Sequence, residues 1–415
     1  MAARNWNGNA QSTNDVWTAT IGGTLTVGNI IRVIRSDKTF AYTLAATTAA
    51  TECTAFAAAF NAIDRNIYPE LAEYTAAASG STVIFTAKTA GLPATLSVSN
   101  TGGSLTWSIT NTVAATGPNF WNNAANWAEN TVPVTGDDVT IEFNTPILFG
   151  LAQSAVTLTS LTISKSFKNQ IGLPRVNANK YAEDRPTELA IGATTLNVGL
   201  GGSGDGSTFL RINAGSVQQT LNVYTTATGS TDAPALIWKG TNTNNVVNVY
   251  GGSVGIGFYP GDTATVKTLR VGYKEQISDT TVDIGEGVTL TGSGATVKQS
   301  GGIIRTRSAL LDIVKNNGEL WIFKGGFSSL LNWKGLVRFE AAGVNGTGIT
   351  NGGEFVRLNQ LEIANIANQA IFLPGSTWLD PNASLIYDDG IVCQNCKLSD
   401  LKAVDFGPNR SHTIG

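Results

Sequence analysis

Glycine punctuates the carboxyl-terminal half of this chain at a nearly constant interval. Gly287, Gly302, Gly318, Gly335 and Gly352 are spaced 15, 16, 17 and 17 residues apart. Each is followed by a short run with alternating apolar positions: Val288-Thr-Leu290, Ile303-Ile-Arg305, Leu320-Trp-Ile-Phe323, Leu336-Val-Arg-Phe339 and Phe355-Val-Arg-Leu358. A unit of about 20 residues made of strand and turn cannot bury an apolar face alone, and stacking on its neighbours supplies the missing face. The pattern therefore predicts a β-solenoid. Earlier strand patterns fit the same stack with longer insertions: Val156–Ile163, Glu188–Val198, Phe209–Ile212, Leu221–Tyr224, Val246–Tyr250 and Thr281–Ile284. The alternative is a tandem pair of β-sandwiches, which also place strands every 8–12 residues or so. Against it stands a run of roughly 250 residues with no domain break, long for a sandwich.

Composition narrows the chemistry. Charged residues make up 14% of the 415, against about a quarter in an ordinary globular protein. The hydrophobic share of 42% is ordinary, so the shortage of charge does not indicate disorder. A single histidine, His412, excludes a multi-histidine metal site within one chain. A net charge of −3 gives no bulk attraction to nucleic acid or to an anionic membrane. No window approaches 18 uninterrupted apolar residues, and residues 1–20 lack an apolar core of signal-peptide length. Three cysteines, Cys53, Cys393 and Cys396, form no disulfide framework. The expectation is a protein that folds in a reducing cytoplasm, without cofactor and without a membrane or nucleic-acid partner.

Four segments follow from the patterns. Residues 1–116 read as an α+β module. Its strands are Val16–Ile21, with a Gly22-Gly23 hairpin to Thr24–Val27, then Ile30–Ile34, Thr82–Ala87, Ala94–Val98 and Ser104–Thr110. Its one helix lies near 51–65, capped by Thr51, with Phe56, Phe60 and Ile63 on one face. Residues 117–138 carry Trp121 and Trp127, whose flat indoles suit the covering of an open β-stack, and an Asp137-Asp138 turn. Residues 139–392 are the solenoid, in which Gly302, Gly318 and Gly335 mark turns, and 393–415 form a tail.

Candidate chemistry is sparse. Gly199-x-Gly201-x-x-Gly204 follows a strand and matches the dinucleotide fingerprint, but the next residues read as turn and strand, not the required helix. Carboxylates are what a solenoid glycosidase or lyase would use. Asp137 with Asp138 and Asp388 with Asp389 lie in turns before strands, where a carboxylate caps backbone N–H groups. Tyr181-Ala-Glu-Asp-Arg185 gathers an aromatic, two acids and an arginine in a long loop. Its Glu183 and Asp184, with Asp389, are the catalytic candidates, weighed against a loop salt bridge. Cys393 and Cys396 are candidates for half a zinc site, against two buried thiols. Trp238, Tyr250, Phe258, Tyr259, Trp333 and Trp378 either stack on sugar rings or stack on one another inside the coils.

The segment GPNFWNNAANWAENTVPVTGDDVTI (117–141) resembles the Trp/Asn-rich openings that precede β-solenoids in bacteriophage and prophage virion proteins and in large secreted adhesins. Arg4-Asn-Trp-Asn-Gly8, Ile171–Pro174 and Tyr181–Arg185 are similar to the virion group. The resemblance implies a fibre, spike or capsid-decoration protein, built as an α+β module followed by a right-handed parallel β-solenoid. It implies a homotrimer that contacts other virion proteins and adheres to host surface glycan, located in the virion. The alternatives are a tailspike-type polysaccharide depolymerase and a cell-surface adhesin.

Overall fold

A computed structural model describes residues 2–229, 233–272, 280–309 and 312–327, and beyond them a series of short strands between Ser329 and Asp405. The protein is mainly β, and most of its strands join one large parallel sheet of the β-solenoid type. The sheet has two faces. On the first, Asp138–Ile141, Ala152–Ile163, Leu189–Val198, Thr220–Val223, Val246–Val249, Thr268–Val271, Ala295–Gln299 and Asp312–Lys315 pair in succession. On the second, Phe209–Asn213, Leu236–Lys239, Ser253–Ile256, Thr281–Ile284, Ile303–Thr306, Glu319–Ile322 and Leu336–Phe339 do the same. Every one of these pairings is parallel, which excludes the antiparallel tandem sandwiches.

Register follows from the period of two along a strand, since a slip of one residue would turn the apolar set outward. The first face stacks Val139, Leu161, Leu196, Leu221, Val247, Leu269 and Val297 in one interior column. The second stacks Leu210, Leu236, Val254, Val282, Ile304, Leu320 and Val337. No member of either column is more than 1% exposed. The neighbouring column of the first face breaks this chemistry. It runs Val198, Val223, Val249 and Val271, then Gln299 and Lys315, both fully buried. Gln299 Nε2 donates to the carbonyls of Gly302 (3.0 Å) and Glu319 (2.8 Å). Burial pushes the Lys315 ammonium down to about 7, with nearby Glu319 opposing the shift.

Between the first two parallel strands the chain leaves the stack and builds an antiparallel region. After β1 (Ala3–Asn5), strands β2 (Val16–Gly23), β3 (Ile30–Arg35) and β4 (Lys38–Thr43) lead to α1 (Ala49–Asn61). β5 (Tyr74–Ser79), β6 (Thr82–Ala87), β7 (Ser97–Asn100) and β8 (Leu105–Val113) follow. The sheets are ordered β5-β6-β2-β8 and β4-β3-β7, and Phe56 and Phe60 of α1 meet Phe40, Phe85 and Trp107 between them. Asp15, 1% exposed, ties the region together. Its carboxylate accepts from Trp17 Nε1, Tyr74 OH and Asn111 Nδ2, all within 2.8 Å.

Two local expectations fail here. The Gly22-Gly23 hairpin is not formed, because both edges of β2 are taken by β6 and β8, and Thr24–Val27 is a connection. The helix begins at Ala49 and not after Thr51, and no side chain caps it. Glu52, in the first turn, ties down the approach to the helix by accepting the backbone N–H groups of Ala45 and Ala46.

The amino-terminal strand belongs by pairing to the parallel sheet. β1 lies parallel to β9 (Asp138–Ile141), Ala3 opposite Asp138 and Asn5 opposite Thr140. Trp6, Trp121 and Trp127 pack edge to face at 5.2 and 4.9 Å in the same core as Val139 and Ile141, none more than 1% exposed. Asp137 fixes the arrangement by accepting from Arg4 Nε (2.9 Å), Ala2 N and Val134 N (3.2 Å each). Burial works against its ionisation, and these donors outweigh it, holding the carboxyl below its ordinary value.

Gly302 and Gly318 immediately precede second-face strands. Gly287 precedes Val288–Leu290, which pairs with Ala264–Val266 on a separate short ladder, so the interval of 15 runs from that ladder to the second face. Gly335 and Gly352 lie outside the described residues. Gly318 has φ +92°, and a Cβ there would stand 2.5 Å from the Gly302 carbonyl oxygen. Gly318→Ala is expected to cost more than about 2 kcal/mol in chemical denaturation, from left-handed backbone plus the clash. Gly215→Ala, at φ +60° with open space around it, should cost only about 1–2 kcal/mol. Lys315 generates a pH prediction. Its folded value of about 7 lies below the ordinary 10.5, so between them the unfolded chain binds the extra proton and stability rises with pH. Lys315→Met should flatten this slope in melting curves taken from pH 6.5 to 9.5.

Candidate functional site

The densest polar cluster sits where the antiparallel region meets the parallel sheet. It is organised by Arg35, the last residue of β3, whose side chain is wholly buried. The Tyr181–Arg185 loop supplies the other half. Residues 175–183 form a small hairpin, with an antiparallel bridge between Val176 and Ala182 and a bond from Glu183 N to the Arg175 carbonyl. Arg35 donates through Nε and Nη2 to both oxygens of Asp184 (3.0 and 3.3 Å) and through Nη2 to Tyr181 OH (3.1 Å). Its Nη1 donates to Glu73 (2.7 Å) and to the Glu70 carbonyl (2.8 Å). Tyr181 OH in turn donates to Glu73 (2.8 Å), and Asn179 Nδ2 to the same oxygen (3.0 Å).

Glu183 is held separately, by Nε and Nη2 of Arg185 at 2.5 and 2.9 Å. At the base of the hairpin Arg175 reaches Asp262 (3.2 Å) and lies 3.8 Å over the Tyr259 ring. The hairpin thus touches the antiparallel region at one end and a later coil at the other. Beside it lies a cleft of about 420 Å³, whose walls include Ile34, Pro93, Phe149, Leu151, Arg185 and Pro186.

These contacts decide the chemistry of the loop carboxylates. Burial opposes ionisation of Asp184, but Arg35 and Arg185 outweigh it and hold the carboxyl below its ordinary range. A general acid at neutral pH needs the opposite shift. Asp184 is thus poorly suited to act as a general acid, and both loop carboxylates are engaged as ion pairs, Asp184 with Arg35 and Glu183 with Arg185, in the manner of a clamp. Arg35 and Glu73, the partners that complete the clamp, are not singled out by sequence. Arg35 closes an apolar alternating strand, and only the rarity of buried arginine sets it apart once the structure is known.

The remaining candidates are scattered. Asp137 is the end-coil anchor, and Asp138 accepts from Ser160 Oγ at 2.6 Å. The Gly199–Gly204 loop leads into strand Phe209–Asn213, so the fingerprint lacks its helix. Trp238 is fully buried, donating to Gln219 Oε1 at 2.7 Å, and is unavailable to a sugar. Cys393 ends the strand Val392–Cys393. Asp388, Asp389, Cys396, Trp333 and His412 lie outside the described residues, as do the side chains of Cys393 and Trp378. Among the described residues no group of three or more His, Cys, Asp or Glu is placed to hold a metal ion.

Removing Arg35 takes away the buried cation that Asp184 and Glu73 share, at a cost below the roughly 3–5 kcal/mol of a fully buried pair because both carboxylates keep contact with water. Arg35→Met should therefore lower the melting temperature and expose the 113–118 connection to limited proteolysis. The clamp also predicts acid sensitivity. Asp184 titrates below its ordinary 3.8, so its contribution is complete above about pH 4 and is lost as pH falls through the folded value. Asp184→Asn should remove that part of the acid transition. No family model, curated protein or solved structure matches the chain.

Proposed function

We propose that this chain is a virion structural protein of the fibre, spike or capsid-decoration type. In this reading a right-handed parallel β-solenoid forms a rod, and residues 13–116 form an α+β attachment module clamped to its amino end. The supporting observation is the continuous stack of parallel coils with in-register aliphatic columns. Such a stack gives stiffness along its axis from main-chain bonds repeated at every coil. The outward amides fit a surface that packs with little charge repulsion: Asn222 Nδ2 donates to Asn197 Oδ1 (3.1 Å) and Asn248 Nδ2 to Asn222 Oδ1 (2.9 Å). The proposed assembly is a homotrimer that contacts other virion proteins and adheres to host surface glycan.

A polysaccharide depolymerase is the second reading, and one residue favours it. Asp283, 8% exposed, lies on the outward side of the second face, and burial raises its carboxyl against the pull of Arg305 and Arg307. Arg305 sits 3.7 Å from it and 5.2 Å over the Trp321 ring. A raised acid beside a cation and an indole is one half of what glycoside chemistry uses.

Light scattering across a wide concentration range separates the readings when combined with a reducing-sugar assay. A concentration-independent trimer without sugar release is expected. A stable monomer would overturn the structural reading. Sugar release abolished by Asp283→Asn would establish the enzymatic one.

A further inference from the structure

A five-residue pattern recurs on the first face: Thr195-Leu-Asn-Val-Gly199, Thr220-Leu-Asn-Val-Tyr224, Val246-Val-Asn-Val-Tyr250 and Thr268-Leu-Arg-Val-Gly272. Pairing places the four copies in register, Asn197 opposite Asn222, Asn222 opposite Asn248 and Asn248 opposite Arg270. The second and fourth residues of each copy are buried, so the first, third and fifth form three outward columns. The middle column is the amide row already described, extended by Arg270 Nη1, which donates to Asn248 Oδ1 at 3.1 Å. The corner column reads Gly199, Tyr224, Tyr250, Gly272.

This corner is built asymmetrically. Tyr224 and Tyr250 stack at 5.2 Å with ring planes 26° apart, which occupies one face of Tyr224. On its other side the preceding coil carries Gly199, with no side chain. A Cβ at Gly199 would stand 2.2 Å from the Thr225 carbonyl oxygen, and its φ of +75° also favours glycine. Tyr224 is an exposed residue, with 36% of its surface accessible. An open aromatic face thus stands above a bare step, beside the Asn197 and Asn222 amides. Beyond it the outward row becomes basic, with Arg270 followed in register by the exposed Lys298. From Thr195 to Lys298 the outward positions of this face contain no carboxylate among the described residues.

We infer that this corner binds an extended acidic polysaccharide lying along the stack. One pyranose ring packs its C–H face on Tyr224 over Gly199, its hydroxyls meet the Asn197 and Asn222 amides, and carboxylates further along meet Arg270 and Lys298. The charge of the row selects the acidic chain over a neutral one. A nucleic acid would need several free aromatic faces along a basic groove, whereas the tyrosines here stack on each other and the cations lie at one end. The inference rests on the adhesive part of the proposed function and names the ligand class and the site.

Affinity electrophoresis of the full chain through gels containing polygalacturonate, dextran or single-stranded DNA tests it. Retardation by polygalacturonate alone, weakening with salt, is expected. Tyr224→Ala should weaken it roughly tenfold and Tyr224→Phe should keep it, which separates ring stacking from loss of fold. The double change Arg270→Gln and Lys298→Gln should erase the preference over dextran. No retardation by polygalacturonate, retardation equal in the Tyr224→Ala protein, or retardation by DNA alone would overturn the site. Light scattering on the same samples reports assembly independently, so a failure of the site is distinguishable from a failure of the structural reading.

Discussion

Every coil of the parallel stack depends on its neighbours for both backbone partners and interior contacts. That mutual dependence is the constraint from which the rest follows. Leu221 is buried because Leu196 and Val247 stand in register above and below it. Branched aliphatics recur in these columns because they fill one repeating cross-section and satisfy the β preference. The change to Gln299 and Lys315 is the exception. There the interior must satisfy an amide and an ammonium, and Gln299 does so by bonding the turn carbonyls of the second face.

A stack held together in this way has little to bind anything rigidly at its side. The antiparallel region is fastened where charge gathers around the buried Arg35 side chain. In a chain with so few charged residues, Arg35, Glu73, Asp184 and Arg185 converge on one junction. Buried ion pairs of this kind add little net stability but penalise every misaligned alternative, because each would strand a charge. The clamp is better understood as setting orientation than as supplying adhesion.

Much of this architecture was legible in the sequence. The glycine spacing carried the parallel stack because a left-handed turn pressed against the next coil leaves a residue-specific trace. Gly318 is such a case and Gly287 is not, since a glycine in another ladder looks the same in a string of letters. The helix was visible through Phe56 and Phe60, but its start was not, because no capping side chain marks it. The Tyr181–Arg185 loop stood out by composition. Its role did not, because Arg35 lies far away along the chain and only the fold brings it within 3.0 Å of Asp184. The Gly199–Gly204 loop shows the converse, a match of letters that the strand pattern after it already discounted.

The strand at the amino end, Ala3–Asn5, finds its partner only at Asp138–Thr140. During synthesis it therefore emerges before its partner and waits. The whole antiparallel region must leave the ribosome and begin to fold before β9 exists to receive it. The three indoles obey the same delay, since Trp6 has no aromatic neighbour until Trp127 has been made. This coil of the parallel stack is closed by a clasp whose two halves are separated in time, so it is completed after the region it encloses, and an interrupted chain leaves it open.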